Sequence, residues 1–145
     1  MATQWIALLG KRDVPTDGVR DYCNWLSRSL ARDGCDLQLV PVPWAKIGWF
    51  QALLWLWRES VNWKDKWIIL QYTVYGWSQR GLPIGFLAVI WLLKQRRVRL
   101  AVVFHDPQGH AGDKLRYRWR RAFQQWVMQK AYAWVDRSIC TVPLD

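Results

Sequence analysis

The residues best suited to chemistry in this 145-residue sequence follow a predicted strand or begin a predicted helix. His105 and Asp106 come directly after an apolar run, and Asp17 and Gly18 precede an amphipathic segment. A histidine can donate a hydrogen bond to a ligand or exchange a proton with it. The first backbone N–H groups of a helix suit a phosphate or a hydroxyl-rich ligand. Purely structural roles stay open at both places: a capped strand end at His105 and a tight turn at Gly18.

The sequence does not carry the motifs of several common catalytic or cofactor sites. The loop 10–18 lacks the G-x-G-x-x-G pattern, which argues against a nicotinamide or flavin cofactor. The three cysteines have no C-x-x-C spacing, so neither a zinc site nor a disulfide framework is indicated. We also find no nucleophile beside a base and no pair of separated carboxylates of the glycosidase kind. No catalytic residue and no metal ligand is therefore assigned.

The whole chain has a net charge of +10, and most of the excess positive charge lies between residues 94 and 121. Such a surface attracts nucleic acid, anionic lipid or phosphorylated substrates, and a solvated helix face would look the same. Arg116, Arg118, Arg120 and Arg121 alternate with aromatic residues and are predicted to contact an anionic surface, either lipid or RNA phosphate. The cations from 94 to 121 are Lys94, Arg96, Arg97, Arg99, Lys114, Arg116, Arg118, Arg120 and Arg121.

Aromatic residues are abundant, with 13 tryptophans. We expect most of these indoles to pack in the core, although such rings also suit interfaces and membrane headgroups. A second aromatic group, Tyr72, Tyr75 and Trp77, follows the third predicted strand together with Arg80. This loop could stack on an acceptor sugar or lie on a membrane surface, and ordinary loop packing is the alternative. Tyr75 and Arg80 are its candidate binding residues.

Alternating apolar patterns predict the elements that position these residues. Short apolar runs that end at glycine, proline or polar loops are typical of buried strands, and they occur at 5–9, 37–42, 67–72, 100–104 and 138–142. Apolar residues at helical spacing predict four helices, with Val19, Tyr22, Leu26 and Leu30 in the first, Trp49, Phe50, Leu53, Leu54 and Trp57 in the second, Phe86, Val89, Ile90 and Leu93 in the third, and Trp119, Phe123, Trp126, Val127, Ala131 and Trp134 in the fourth.

This alternation predicts an α/β domain, a Rossmann-like open parallel sheet of about five strands with helices on both faces. In such sheets ligands bind outside the carboxyl ends of the strands, which draws attention to the loops 10–18, 42–48, 73–82 and 105–113. The apolar stretch 81–93 is too short to span a bilayer and is predicted to be a buried helix. Since the sequence also shows no signal peptide, we expect a cytoplasmic protein.

Three segments resemble the amino-terminal half of a two-domain (GT-B) glycosyltransferase of the family 4 kind. They are a turn, helix and strand at 16–42 (TDGVRDYCNWLSRSLARDGCDLQLVPV), a strand running into histidine at 100–109 (LAVVFHDPQG), and a helix that ends in an acidic residue before a strand at 130–143 (KAYAWVDRSICTVP). Their order and spacing agree with that family. The sequence departs from it at Asp17, where members often have a second glycine.

The resemblance implies a nucleotide-sugar-dependent transferase without a metal or cofactor, in which this domain binds a glycan or lipid-linked acceptor. Gly18 would let the backbone approach the donor diphosphate or the acceptor, and His105 would hydrogen-bond the sugar. Asp17 and Asp106 are the neighbouring candidates in the same two loops. The donor nucleotide would be held by a second domain, in the same chain or as a separate partner.

The family's E-x7-E pair belongs to the donor domain and has no counterpart in residues 1–145. We therefore expect one incomplete amino-terminal domain, truncated or a subunit of a split enzyme, inactive without the donor domain and located in the cytoplasm or at the inner face of the membrane. The alternative is a basic module without catalysis that binds nucleic acid or a membrane surface. Nucleic acid is the less favoured partner, because the sequence contains no recognised RNA-binding motif.

Overall fold

The computed structural model of the chain describes residues 3–11, 18–105 and 114–141. Five strands follow the chain as Thr3–Leu9 (β1), Cys35–Pro41 (β2), Trp67–Tyr72 (β3), Arg99–Phe104 (β4) and Arg137–Cys140 (β5). All neighbouring strands are parallel, in the order β2-β1-β3-β4-β5. The predicted α/β class with an open, parallel, Rossmann-like sheet is therefore confirmed.

Helices connect the strands, and there is one more than the sequence predicts. Their bounds are Gly18–Arg32 (α1), Trp44–Ile47 (α2), Trp49–Glu59 (α3), Ile84–Lys94 (α4) and Leu115–Trp134 (α5), with a 3₁₀ turn at Ser60–Trp63. The extra helix is the single turn α2, which Gly48 separates from α3 at a φ of 82°. Such a positive φ suits glycine and breaks the helical path, so the chain bends there.

The two sides of the sheet bury different side chains of the same strands. In β1, Ile6 and Leu8 enter the larger core, while Ala7 and Leu9 enter a smaller one on the opposite side. The larger core contains residues of α3, α4 and α5, and the smaller core is closed by α1 alone. We call these the three-helix side and the α1 side.

This unequal division of helices follows from the order of the strands. The connection from β1 to β2 runs one way along the sheet, whereas the connections from β2 to β3, β4 and β5 all run the other way. Crossovers between parallel strands are right-handed in nearly all proteins, so reversing the direction moves the connecting helix to the other side. Helices therefore lie on both faces, as predicted, but three long helices share one of them.

In α3 and α5 the predicted apolar stripes are partly wrong. The buried residues of α3 are Ala52 and Leu56, which face the sheet. Phe50, Leu54 and Trp57, which belong to the predicted stripe, are exposed. In α5 the buried residues are Gln124, Val127, Met128 and Ala131, while the predicted core residues Trp119 and Trp126 are exposed. Both helices carry apolar residues on two opposite sides, so periodicity alone selects the larger side chains and misses the small ones.

The expectation that most tryptophans pack in the core is confirmed. Trp44, Trp63 and Trp77 are buried, and five more are half-buried and pack against one of the two cores. The exposed ones are Trp25 (66%), Trp57 (42%), Trp91 (59%), Trp119 (55%) and Trp126 (42%). Four of these five lie on helices of the three-helix side.

Candidate functional site

The carboxyl edge of the sheet has a reversal point between β1 and β3, because the chain leaves β1 toward β2 and later returns to the opposite neighbour of β1. Open α/β sheets bind ligands at such a point, and the order 2-1-3-4-5 obeys the same rule. The connections after β1 and β3 touch each other here: the Lys11 N–H donates to the Gly76 carbonyl at 2.6 Å. The Trp44 indole N–H donates to the same oxygen at 3.0 Å.

Two glycines permit this close approach. A Cβ on Gly10 would overlap the Gly76 carbonyl group, and a Cβ on Gly76 would meet the Thr73 hydroxyl at 2.6 Å. The sequence interpretation considered Gly10 only as the end of the first strand and Gly76 only as part of a loop. A glycine directly after a buried strand is the signal that could have identified Gly10.

His105 lies at the carboxyl end of β4, half-buried on the α1 side. Its Nε2 is 2.7 Å from Oε1 of Gln71, the last residue but one of β3. Because an amide oxygen only accepts, His105 donates this hydrogen bond from Nε2–H. The Tyr22 ring packs edge-on against the imidazole with centroids 4.9 Å apart, which ties the end of β4 to the second turn of α1.

Gln71 is the polar residue of this cluster that sequence reasoning missed. It is 1% exposed within an otherwise apolar strand, and no group in the described part of the chain accepts a hydrogen bond from its Nε2. An amide buried without such a partner costs about 1–3 kcal/mol. The signal was the single polar residue in WIILQY, directly before the strand end.

Burial raises the pKa of the Tyr22 phenol above its usual value, and the nearby Cys23 thiol adds a smaller Coulombic contribution in the same direction. Tyr22 therefore stays neutral and packs as an aromatic wall beside His105. Gly18, its neighbour one turn earlier, is the first residue of α1 and is exposed. No atom in the described part of the chain lies within 4 Å of a Cβ built on Gly18, so those residues leave room for a side chain there.

The other predicted binding residues are distributed along the same edge. Asp17 and Asp106 lie outside the described residues. Tyr75 and Arg80 are both exposed in the loop after β3. Trp77, however, is fully buried, and its indole N–H donates to the Gln71 carbonyl at 2.8 Å, so it stabilises the loop and does not stack on a ligand.

The first turns of α5 bring positive charge to this edge. In a parallel sheet the connecting helices run back toward the amino edge, so they begin at the carboxyl edge. Arg116, Arg118 and Arg121 are exposed there, and Arg120 is half-buried against Gly81. Cations are unfavourable near a helix amino terminus because the helix dipole is positive there. The first turn of α5 contains no acidic residue to offset them. An anion bound near this terminus would compensate the repulsion.

A separate cavity of about 720 Å³ opens at the opposite, amino edge of the sheet. Its lining includes Trp5, Trp67, Asp36 and Arg99. The cavity is shallow and open, and it contains none of the predicted binding residues. Since sheets of this class bind ligands at the carboxyl edge, we place the candidate site there and not in this cavity.

Comparison of the chain with protein-family models, with curated proteins and with solved structures finds no match. The resemblance to glycosyltransferases therefore rests on the sequence segments described above. Among the residues that the structure describes, no helix is both long and apolar enough to cross a bilayer.

Proposed function

We propose that this chain is the acceptor-binding part of a nucleotide-sugar-dependent glycosyltransferase and that it works together with a donor-binding domain. The observation that carries the proposal is the His105–Gln71 pair beneath the beginning of α1, at the reversal point of the sheet. It offers a histidine and a buried amide N–H beside the backbone N–H groups of a helix amino terminus. These are hydrogen-bond donors for hydroxyl or phosphate oxygens.

The charges favour an acceptor that carries phosphate. Arg116, Arg118 and Arg121 are exposed at the same edge, where the amino terminus of α5 adds its own partial positive charge. A neutral glycan would gain little from this field, whereas the diphosphate of a lipid-linked acceptor would bind to it. Tyr75 and Arg80 lie in the adjacent loop and could contact the acceptor beyond its phosphates.

The test is a titration of the isotope-labelled chain, followed by nuclear magnetic resonance, with three probes: a short polyprenyl diphosphate, the corresponding polyprenol, and a nucleotide sugar. We expect saturable shifts with the polyprenyl diphosphate that centre on Gln71, His105 and Tyr22. His105→Phe keeps the aromatic packing against Tyr22 but removes the polar nitrogens, and should weaken binding about tenfold or more.

Gly18→Ala separates ligand approach from fold stability. The fold has room for the added methyl group, so unfolding should be unaffected, while a ligand that approaches the backbone at Gly18 should bind more weakly. Arg137→Gln, at the amino end of β5, is the control and should bind as the unmodified chain does. Binding of the nucleotide sugar in preference to the diphosphate lipid would contradict an acceptor-side role, as would the absence of any saturable binding at this edge.

A further inference from the structure

The outer surface of the three-helix side is apolar, although it faces solvent. On α3, Phe50 (73%), Leu54 and Trp57 are exposed, and on α4, Ile84 (52%) and Trp91 (59%). On α5 the exposed residues include Trp119 and Trp126. We call these seven residues the aromatic face; it is distinct from the candidate site at the carboxyl edge.

The residues of the aromatic face point away from the sheet on each helix. At 100° per residue, Phe50, Leu54 and Trp57 lie opposite the buried Ala52 and Leu56 of α3. The same relation holds on α4, where Ile84 and Trp91 oppose Phe86 and Ile90, and on α5, where Trp119 and Trp126 oppose Gln124 and Met128. Because α4 packs between α3 and α5, the three stripes lie side by side on one surface.

The helix α4 makes the surface unusual for a protein surrounded by water. It contains no charged residue before Lys94, and its inner side is buried in the core. A helix that is apolar all round is normally covered on all sides. Large contiguous apolar surfaces on soluble domains mark sites of contact with a protein or a membrane.

The charges select between those two occupants. Helices α3, α4 and α5 carry one carboxylate, Glu59, and seven cations, namely Arg58, Lys94, Arg116, Arg118, Arg120, Arg121 and Lys130. At 100° per residue, Arg116 and Lys130 lie on the same side of α5 as Trp119 and Trp126. Indoles and cations together on one surface match the interface of an anionic bilayer, where the rings sit among the headgroups and the cations bind lipid phosphates. A second copy of this chain would bring the same positive charge and be repelled.

We propose that the aromatic face docks the chain, as a peripheral protein, on a membrane surface that contains anionic lipid. The aromatic side chains enter the headgroup region and the cations around them bind the phosphates. Docking does not require the His105–Gln71 pair, since the aromatic face lies on the other side of the sheet, although the arginines at the start of α5 border both surfaces. His105→Phe should therefore leave membrane binding unchanged.

Vesicle flotation tests this proposal, with vesicles of phosphatidylcholine alone and of phosphatidylcholine mixed with phosphatidylglycerol. We expect strong binding to the mixed vesicles only, weakened by salt. The triple variant Phe50→Gln, Trp91→Gln, Trp119→Gln should bind at least about tenfold more weakly, because it loses apolar area that enters the interface. Replacing Arg116 and Lys130, on the outward side of α5, by glutamine should cost about fivefold per cation.

The α1 side supplies matched controls. Trp25, on α1, is 66% exposed but lies on the opposite side of the sheet, and so do Arg28 and Arg32. Trp25→Gln should bind vesicles as the unmodified chain does, and Arg28→Gln with Arg32→Gln should lose less than the α5 pair. Near-ultraviolet circular dichroism of every variant checks that the fold is intact.

Several results would overturn the proposal. One is a Trp25→Gln variant as weak as the triple variant, and another is the absence of binding to the mixed vesicles. A dimer in sedimentation that the triple variant abolishes would make the face a protein interface. Competition by a single-stranded RNA that requires Trp91 and Trp119 would make it a nucleic-acid surface.

The expected contact with lipid can also be observed directly. With spin-labelled lipid in the vesicles, the nuclear magnetic resonance signals of the Trp91 and Trp119 indoles should broaden, and the signal of the Trp25 indole should not.

Discussion

The helices on the two sides of the sheet differ in the residues that they turn away from the core. On the α1 side a single helix buries Cys23, with Tyr22 and Leu26 half-buried, and most of its outward residues are polar. On the three-helix side the inner residues form the larger core, and the outward residues form the aromatic face. A helix that meets only water needs one apolar side. Apolar residues on both sides indicate a second contact, which we propose is with the membrane.

The two sides also differ in how their buried glutamines are hydrogen-bonded. Each side buries one glutamine, Gln71 on the α1 side and Gln124 on the three-helix side. The Gln124 Nε2 donates to the Gly81 carbonyl at 2.9 Å. The glutamine of the three-helix side thus stabilises a loop, whereas the Gln71 Nε2 is buried without an acceptor in the described part of the chain. Stability is concentrated on the three-helix side, and the groups that suit a ligand lie on the α1 side.

The largest expected change in the free energy of unfolding distinguishes the two cores. Phe86 is fully buried on the three-helix side between Tyr72 and Trp77, so Phe86→Ala should lower the free energy of unfolding by about 3–5 kcal/mol. The half-buried Leu26 on the α1 side should lose only about 1–2 kcal/mol as alanine. Urea denaturation measures both. Equal losses would contradict the assignment of most of the stability to the three-helix side.

A smaller contrast concerns two glycines in the first turns of helices. A Cβ on Gly85 would overlap the Trp49 indole, which stacks on Trp44 with ring centroids 5.0 Å apart. Gly85→Ala should therefore destabilise the protein by about 1–3 kcal/mol through overpacking. Gly18→Ala, at the first residue of α1, should cause no loss. Thermal unfolding of the two variants provides the comparison, and a destabilised Gly18→Ala variant would show that α1 begins in a tighter environment than the described contacts indicate.

The two buried glutamines should respond differently to methionine. Gln71→Met removes a buried donor without an acceptor, but it also removes the oxygen that accepts the His105 Nε2–H, so we expect the free energy of unfolding to change by less than about 1 kcal/mol while ligand binding at the carboxyl edge is lost. Gln124→Met leaves the Gly81 carbonyl without its donor and should cost about 1–3 kcal/mol. Chemical denaturation measures both. A loss with Gln71→Met as large as that with Gln124→Met would mean that the Gln71 amide supports the fold.

The smallest effect is expected at alkaline pH. Because burial raises the pKa of Tyr22 in the folded chain, its neutral form is favoured by folding. The resulting stability is complete below the pKa of about 10 in the unfolded chain and is lost as the pH rises through the higher folded value. Tyr22→Phe should remove this part of the loss. Melting temperatures measured up to strongly alkaline pH would reveal it, and parallel curves for both chains would exclude it.

The sequence predicted the strands well because a buried parallel strand is a short apolar run between breakers. It also predicted α4, whose run of apolar residues begins at Pro83. It could not show which side of α3 faces the core, because Phe50 and Leu54 look more suitable for burial than Ala52. The choice depends on the close approach of helix to sheet, which small residues permit.

The positions of some candidate residues were predicted. His105 at the end of a strand was recognised, and the structure places it at the expected edge. Its partner Gln71 was missed, since the contact joins residues 34 positions apart. Gly18 was singled out by its place before a helix, whereas the glycines that the fold requires are Gly10 and Gly76, whose contact depends on strand order. The proposed roles in binding remain predictions.

The Gly76 carbonyl oxygen also has a consequence for the order of folding. It accepts the Lys11 N–H and the Trp44 indole N–H, so one atom joins the connections that follow β1, β2 and β3. None of these hydrogen bonds can form until distant parts of the chain have been brought together, and the entropy of closing such loops must be overcome first. The carboxyl edge around β1 and β3 should therefore be completed late, after the strands have paired.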